Sequence, residues 1–105
     1  MKELKPSDFP ELQRVFAGYL HEDFLEEYGT PLAALRAFQA EADTSERRRF
    51  LTETRRFLDR TARLDFNEVR ALLARFGCRW TPPSRKAMTA LLAEVTNPPP
   101  DGRET

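Results

Sequence analysis

His21 is the one histidine of this 105-residue chain, and it stands among carboxylates: Glu22 and Asp23 follow it directly, and Glu26 and Glu27 come within the next two helical turns. Converging, these groups could ligate a metal. The chain offers no second histidine, a single cysteine and no zinc-type pair, so the sequence predicts no metal site. For acid-base catalysis they would need a nucleophile or an oxyanion-stabilising loop, and neither is present. No catalytic residue is assigned, no enzyme is expected and no cofactor is called for. Two uses remain. His21 and Asp23 are placed to hydrogen-bond locally where a helix turns, as structural polar anchors. Glu22, Glu26 and Glu27 offer a negative surface, with Glu22 and Glu26 sharing a face by their spacing of four, as Asp23 and Glu27 do. Such a surface suits a cationic partner, and it is equally the composition of a solvated helix face.

A second set of chemistry-bearing residues is basic. Arg47, Arg48, Arg49, Arg55, Arg56, Arg60 and Arg63 crowd one stretch, and all but Arg47 could track phosphates, which makes a small helical nucleic-acid-binding regulator the rival reading. Glu46, Glu53 and Asp59 interrupt the patch. Arg49 with Glu53, and Arg55 with Asp59, are spaced for intrahelical ion pairs worth roughly a few tenths of a kcal/mol each. A solvent face laced with such pairs is the expectation, and direct nucleic-acid binding is not. An acidic partner or a second copy of the chain are other readings of this face.

The elements that must position these groups are helical. The first pattern runs from Asp8 towards Tyr28, with Phe9, Leu12, Phe16 and Tyr19 on one stripe, Asp8 and Glu11 spaced as a capping pair, and Pro10 tolerable in the first turn. Beyond His21 the pattern loosens, and Phe24, Leu25 and Tyr28 either continue it or form a separate turn before Gly29. Thr30-Pro31 starts a second helix carrying Leu32, Leu35, Phe38 and Ala42. Asp43 or Thr44 starts a third, with Phe50, Thr54 and Phe57 inward, reaching Arg60. Asp65 starts a fourth, with Phe66, Val69, Leu72, Leu73 and Phe76, closed by Gly77. Ser84 starts the last, with Met88, Leu91, Leu92 and Val95. Between them Pro82-Pro83 keeps Cys78 to Thr81 out of helical geometry; Trp80 suits a lid over one end of the core, and Cys78 a small buried residue.

No alternating β-branched run reads as a strand. The expected fold is all-α, a compact single-domain array of about five short helices over residues 1–97, with 98–105, rich in proline, as a flexible tail. Hydrophobic residues at 40%, eight of them Phe, supply a packed core; helices of this length are marginal alone and depend on burying those faces. The formal charge is zero, which removes the simplest case for a nucleic-acid or anionic-membrane partner. Its distribution is uneven: residues 1–45 hold four basic and nine acidic side chains, and the remainder is basic by the same margin. Met1 to Pro6 has no apolar run behind its charges, so neither a signal peptide nor a membrane span is expected, and the lone Cys78 fits a reducing cytoplasm.

The order of several short elements resembles the immunity proteins of contact-dependent growth inhibition (CDI) systems. They are Phe9-Pro10, Tyr19-Leu20-His21-Glu22-Asp23-Phe24, Ala33-Ala34-Leu35-Arg36-Ala37-Phe38, and Leu73-Ala74-Arg75-Phe76-Gly77-Cys78 followed by Pro82-Pro83. The last helix carries Ala87-Met88 where the family shows a tryptophan. The resemblance implies a cytoplasmic protein that binds the toxic C-terminal domain of a CDI effector, commonly a nuclease, and neutralises it by stoichiometric occlusion. Its partner would be that cognate toxin domain, with no small-molecule substrate and no membrane. On that reading Glu22, Glu26 and Glu27 become the expected toxin-binding residues.

Overall fold

Side-chain caps fix where most of the helices begin. The computed structural model describes residues 4–96, and in chain order holds a 3₁₀ turn (Pro6–Asp8), α1 (Pro10–Tyr19), α2 (Phe24–Tyr28), α3 (Pro31–Glu41), α4 (Thr44–Thr61), α5 (Phe66–Arg75) and α6 (Arg85–Thr96). Thr30 Oγ1 accepts the Ala33 N–H at 3.0 Å, with Pro31 at the first helical position of α3. Asp43 with Glu46, and Asp65 with Glu68, close capping boxes at α4 and α5. Ser84 Oγ accepts the Ala87 N–H at 3.0 Å ahead of α6. Each cap satisfies donors that a helical first turn leaves without intrahelical partners. The fold is all-α, with no strand among the described residues. The tail expected over 98–105 lies outside them.

The first periodic segment divides in two. Leu20 leaves helical geometry (φ −108°, ψ 44°), and its carbonyl accepts the Arg79 N–H at 2.7 Å instead of continuing the helical ladder. A backbone bond to a residue 59 positions later is invisible to periodicity. Phe9 also stands outside the helix, at the N-cap position of α1, yet its ring is fully buried.

The core is built largely from rings. Phe9, Phe16, Phe57 and Phe76 pack edge-on or tilted, with centroids 5.6–6.5 Å apart in five pairings, geometry that favours aromatic pairs beyond the area they bury. Fully burying each such side chain stabilises by about 1.5–3 kcal/mol. Phe38 and Phe50, 5.0 Å apart, extend this core between α3 and α4. Leu35, Val69, Leu72, Leu73, Met88, Leu92 and Val95 fill the spaces around the rings. Trp80 is half-buried against the core's edge, beside Cys78, Met88 and Leu91.

A polar seam joins α1 to α4, and here the structure corrects a local expectation. Asp8 and Glu11 form no capping pair: the Asp8 carboxylate accepts the Lys5 N–H at 3.1 Å, and α1 has no side-chain cap of its own at Phe9. The donor at the start of α1, Leu12 N–H, is met from α4 by Glu53 Oε1 at 2.8 Å. Glu11, also buried, pairs with Arg14 and with Arg49, 3.3 Å away, and Arg14 reaches Glu46 at 3.1 Å. Arg56 donates to the Asp8 carbonyl at 2.6 Å and lies over the Phe9 ring at 4.8 Å. From Glu46 to Arg56 the partners run backwards along α1, so the two helices are antiparallel. The far end of α4 therefore lies beside the start of α1, whereas α2 follows the end of α1.

Candidate functional site

The turn from α1 into α2 is organised by His21. Its Nδ1 accepts the backbone N–H of Asp23 at 3.0 Å, and its Nε2 donates to Glu27 Oε1 at 2.9 Å. Both contacts are met by the tautomer with its proton on Nε2. The ring thus ties the start of α2 to the turn before it. Asp23 takes part through its backbone, and its carboxylate does not cap α2. Gly29, with φ of 89°, ends that helix in a conformation that L side chains resist.

Of the residues singled out in the sequence, His21, Asp23 and Glu27 are brought together, and Glu22 and Glu26 are not joined to them. All four carboxylates of the cluster are exposed. Among the described residues no group of three or more His, Cys, Asp or Glu side chains is arranged to hold a metal.

Two neighbours of this cluster escaped the sequence reading. Leu25 is 61% exposed, the large apolar side chain that stands out in solvent. Phe24 takes the inward direction of this short helix, and the next residue is turned by about 100° at 3.6 residues per turn, which is the signal that could have found it. The other is Glu41, at the end of α3, whose Oε1 accepts the Tyr19 hydroxyl at 2.5 Å. That bond, helped by burial and by the carboxylate's charge, pushes the Tyr19 phenol up to about 12. Tyr28, 6.2 Å from Tyr19 between ring centroids, is raised as well, by desolvation first and then by the charges of Glu27 and Glu41. The surface here carries an exposed leucine and exposed carboxylates, and the Tyr28 ring lies beside both Tyr19 and His21.

The arginines of α4 are distributed differently from expectation. Arg49 turns to Glu11 and to Ser45 Oγ, 2.6 Å away, while Glu53 points inward to Leu12, so the Arg49–Glu53 pair does not form. Arg47 closes the end of α3 by donating to the carbonyls of Gln39 and Ala42. Arg48, Arg55 and Arg60, with Arg63 in the turn that follows α4, are exposed and make no ion pair among the described residues, and neither does Asp59.

Cys78 is buried, its thiol held near the Trp80 carbonyl at 3.4 Å, and burial pushes its pKa up to about 11. The thiolate needed for nucleophilic or metal chemistry is therefore suppressed at neutral pH.

No helix of the described residues is long and apolar enough to cross a membrane. No curated protein and no solved structure matches the chain. The family model described as CdiI immunity protein does, over residues 8–97, a span that includes the α1–α2 turn, the Gly77 closure and all six helices but for no more than their flanks. With most of its length covered, the chain belongs to the CdiI immunity protein family, whose members protect against the toxins of contact-dependent growth inhibition.

Proposed function

We propose that this protein acts in the cytoplasm as a non-enzymatic inhibitor, binding the C-terminal toxin domain of its cognate CDI effector in a stoichiometric complex that occludes the toxin's working surface. The toxin is a nuclease on this reading. Such enzymes carry Lys and Arg where they hold the phosphate backbone, so exposed carboxylates can match that charge, steer the encounter and exclude substrate. The toxin-binding residues are Glu22, Glu26 and Glu27, with His21 and Asp23 as the polar anchor that holds them in place.

The observation that carries the reading is the composition of the α2 surface. Leu25, 61% exposed, stands between Glu22 and Glu26 in sequence on a helix tied down by His21 at one end and ended by Gly29 at the other. Interfaces concentrate their energy in a few centrally buried side chains, within an apolar core and a polar rim, and a held anchor loses less freedom on binding. Glu27 is half withdrawn from this role by its contact with His21. Co-expression with the toxin domain encoded beside this gene tests the function: survival of the cells together with a co-eluting complex is expected, and toxicity with no complex would overturn it.

A further inference from the structure

The solvent face of α4 and the turn after it carry exposed arginines, and their chemistry differs from that of the α2 surface. Arg48, Arg55, Arg60 and Arg63 have no carboxylate partner there, because the acids expected to neutralise the face are engaged elsewhere or stand apart. Glu53 is buried against Leu12, Glu46 turns to Arg14 and caps α4, and Asp59, exposed on the same face, makes no ion pair among the described residues. Arg56 is already held, bonded to the Asp8 carbonyl and lying over Phe9, and it lines a shallow recess with Asp8, Phe9 and Arg60.

From Arg48 to Arg60 the helix rises about 18 Å at 1.5 Å per residue. That covers about five base pairs at 3.4 Å each along one strand. The exposed residues among these arginines are Thr44, Ser45, Thr52, Asp59 and Ala62, and no large apolar side chain is exposed on the face. The buried centre of a protein interface is apolar and depleted of charge, which this face does not offer; its guanidinium groups and hydroxyls, interrupted by the one carboxylate of Asp59, are instead the composition that neutralises and follows a phosphodiester chain. We infer that the α4 face binds the phosphate backbone of a nucleic acid without reading its sequence, as a second surface whose far end lies beside the start of α1, away from the α2 surface that follows the end of α1. It does not depend on the toxin reading, and the two surfaces share no residue.

The test is fluorescence anisotropy of labelled duplex DNA and, in a second arm, labelled RNA, with the full-length protein over a range of salt concentrations. Four phosphate contacts give a slope of log affinity against log salt of about −3.6, and therefore a loss of about 100-fold between about 50 and 200 mM salt. Substituting Arg55→Gln and Arg60→Gln together should reduce the slope by about two, while Glu22→Gln with Glu26→Gln leaves it unchanged. Circular dichroism of each variant establishes that it is folded. Binding in either arm, with that slope and that loss in the arginine variant, supports the inference. No binding by the wild-type protein at low salt, binding untouched by the arginine substitutions, or equally tight binding to polyglutamate would overturn it.

Discussion

Glu53 Oε1, buried on α4, accepts the backbone N–H of Leu12 near the start of α1 at 2.8 Å, joining two helices 41 positions apart in the chain. A buried amide left without an acceptor costs about 1–3 kcal/mol, and Glu53 supplies that acceptor where α1 has no cap of its own. Glu53→Ala should therefore lower unfolding stability by about 2 kcal/mol, whereas Glu53→Gln, which keeps a carbonyl oxygen, should lose less. Urea denaturation of both variants checks this; equal losses would mean that the side chain's bulk or charge matters and the hydrogen bond does not.

Thr54 lies one residue further along α4, fully buried, and its Oγ1 has no hydrogen-bond partner among the described residues. Replacing it with Val removes an unsatisfied polar group while nearly preserving shape, and should leave the protein equally stable or more stable by up to about 1 kcal/mol. A clear fall in melting temperature would show that the hydroxyl is bonded after all.

The glycines separate backbone strain from crowding. Gly77 has φ of 90°, and a Cβ there would stand 3.0 Å from the Ala17 Cβ; Gly29 has φ of 89° with open space around it. Gly77→Ala should cost more than Gly29→Ala, the latter losing about 1 kcal/mol from strain alone. Gly18, inside α1, has nothing within 4 Å of the point a Cβ would occupy, and should instead tolerate Ala with a gain of roughly 0.5–1 kcal/mol. Thermal melts of the three variants give the order.

Much of this scaffold was legible in the residues. Thr30, Asp43, Asp65 and Ser84 act at helix starts as their types and positions suggested, and Gly29 and Gly77 take the positive φ that a terminator needs. Seven of the eight phenylalanines are buried in the core and Phe66 half-buried against it, as their apolar stripes suggested, although Phe9 reaches it from outside α1. What sequence spacing missed was set by long-range contacts. Arg49 and Glu53 are four apart, yet such a pair stabilises by only a few tenths of a kcal/mol, less than satisfying a buried amide, so Glu53 turns to Leu12. The break after Tyr19 depends on Arg79, and the neighbours of the acidic cluster include Glu41 from the end of α3. Within the cluster, the partner of the His21 Nε2 proved to be Glu27, and Asp23 contributes its backbone.

The Tyr19–Glu41 bond makes a prediction about alkaline pH. The Tyr19 pKa is raised to about 12 in the folded protein, against 10.0 for the unperturbed phenol. The unfolded chain therefore releases this proton first, so the contribution to stability is fully present below pH 10 and is lost as pH rises through about 12. An ultraviolet titration should show Tyr19 ionising late, and Glu41→Gln should bring it down. Ionisation of Tyr19 at the ordinary position in the wild-type protein would contradict the bond.

The central claim is that α2 meets the toxin with an apolar anchor in an acidic surface, and calorimetric titration of the purified toxin domain encoded beside this gene tests it most directly. The wild-type protein should bind one to one, with affinity falling as salt rises. A folded variant carrying Glu22→Lys, Leu25→Ser and Glu26→Lys should lose at least 10-fold, about 1.4 kcal/mol. Wild-type binding that is absent, or that the triple variant and salt leave unchanged, would contradict it.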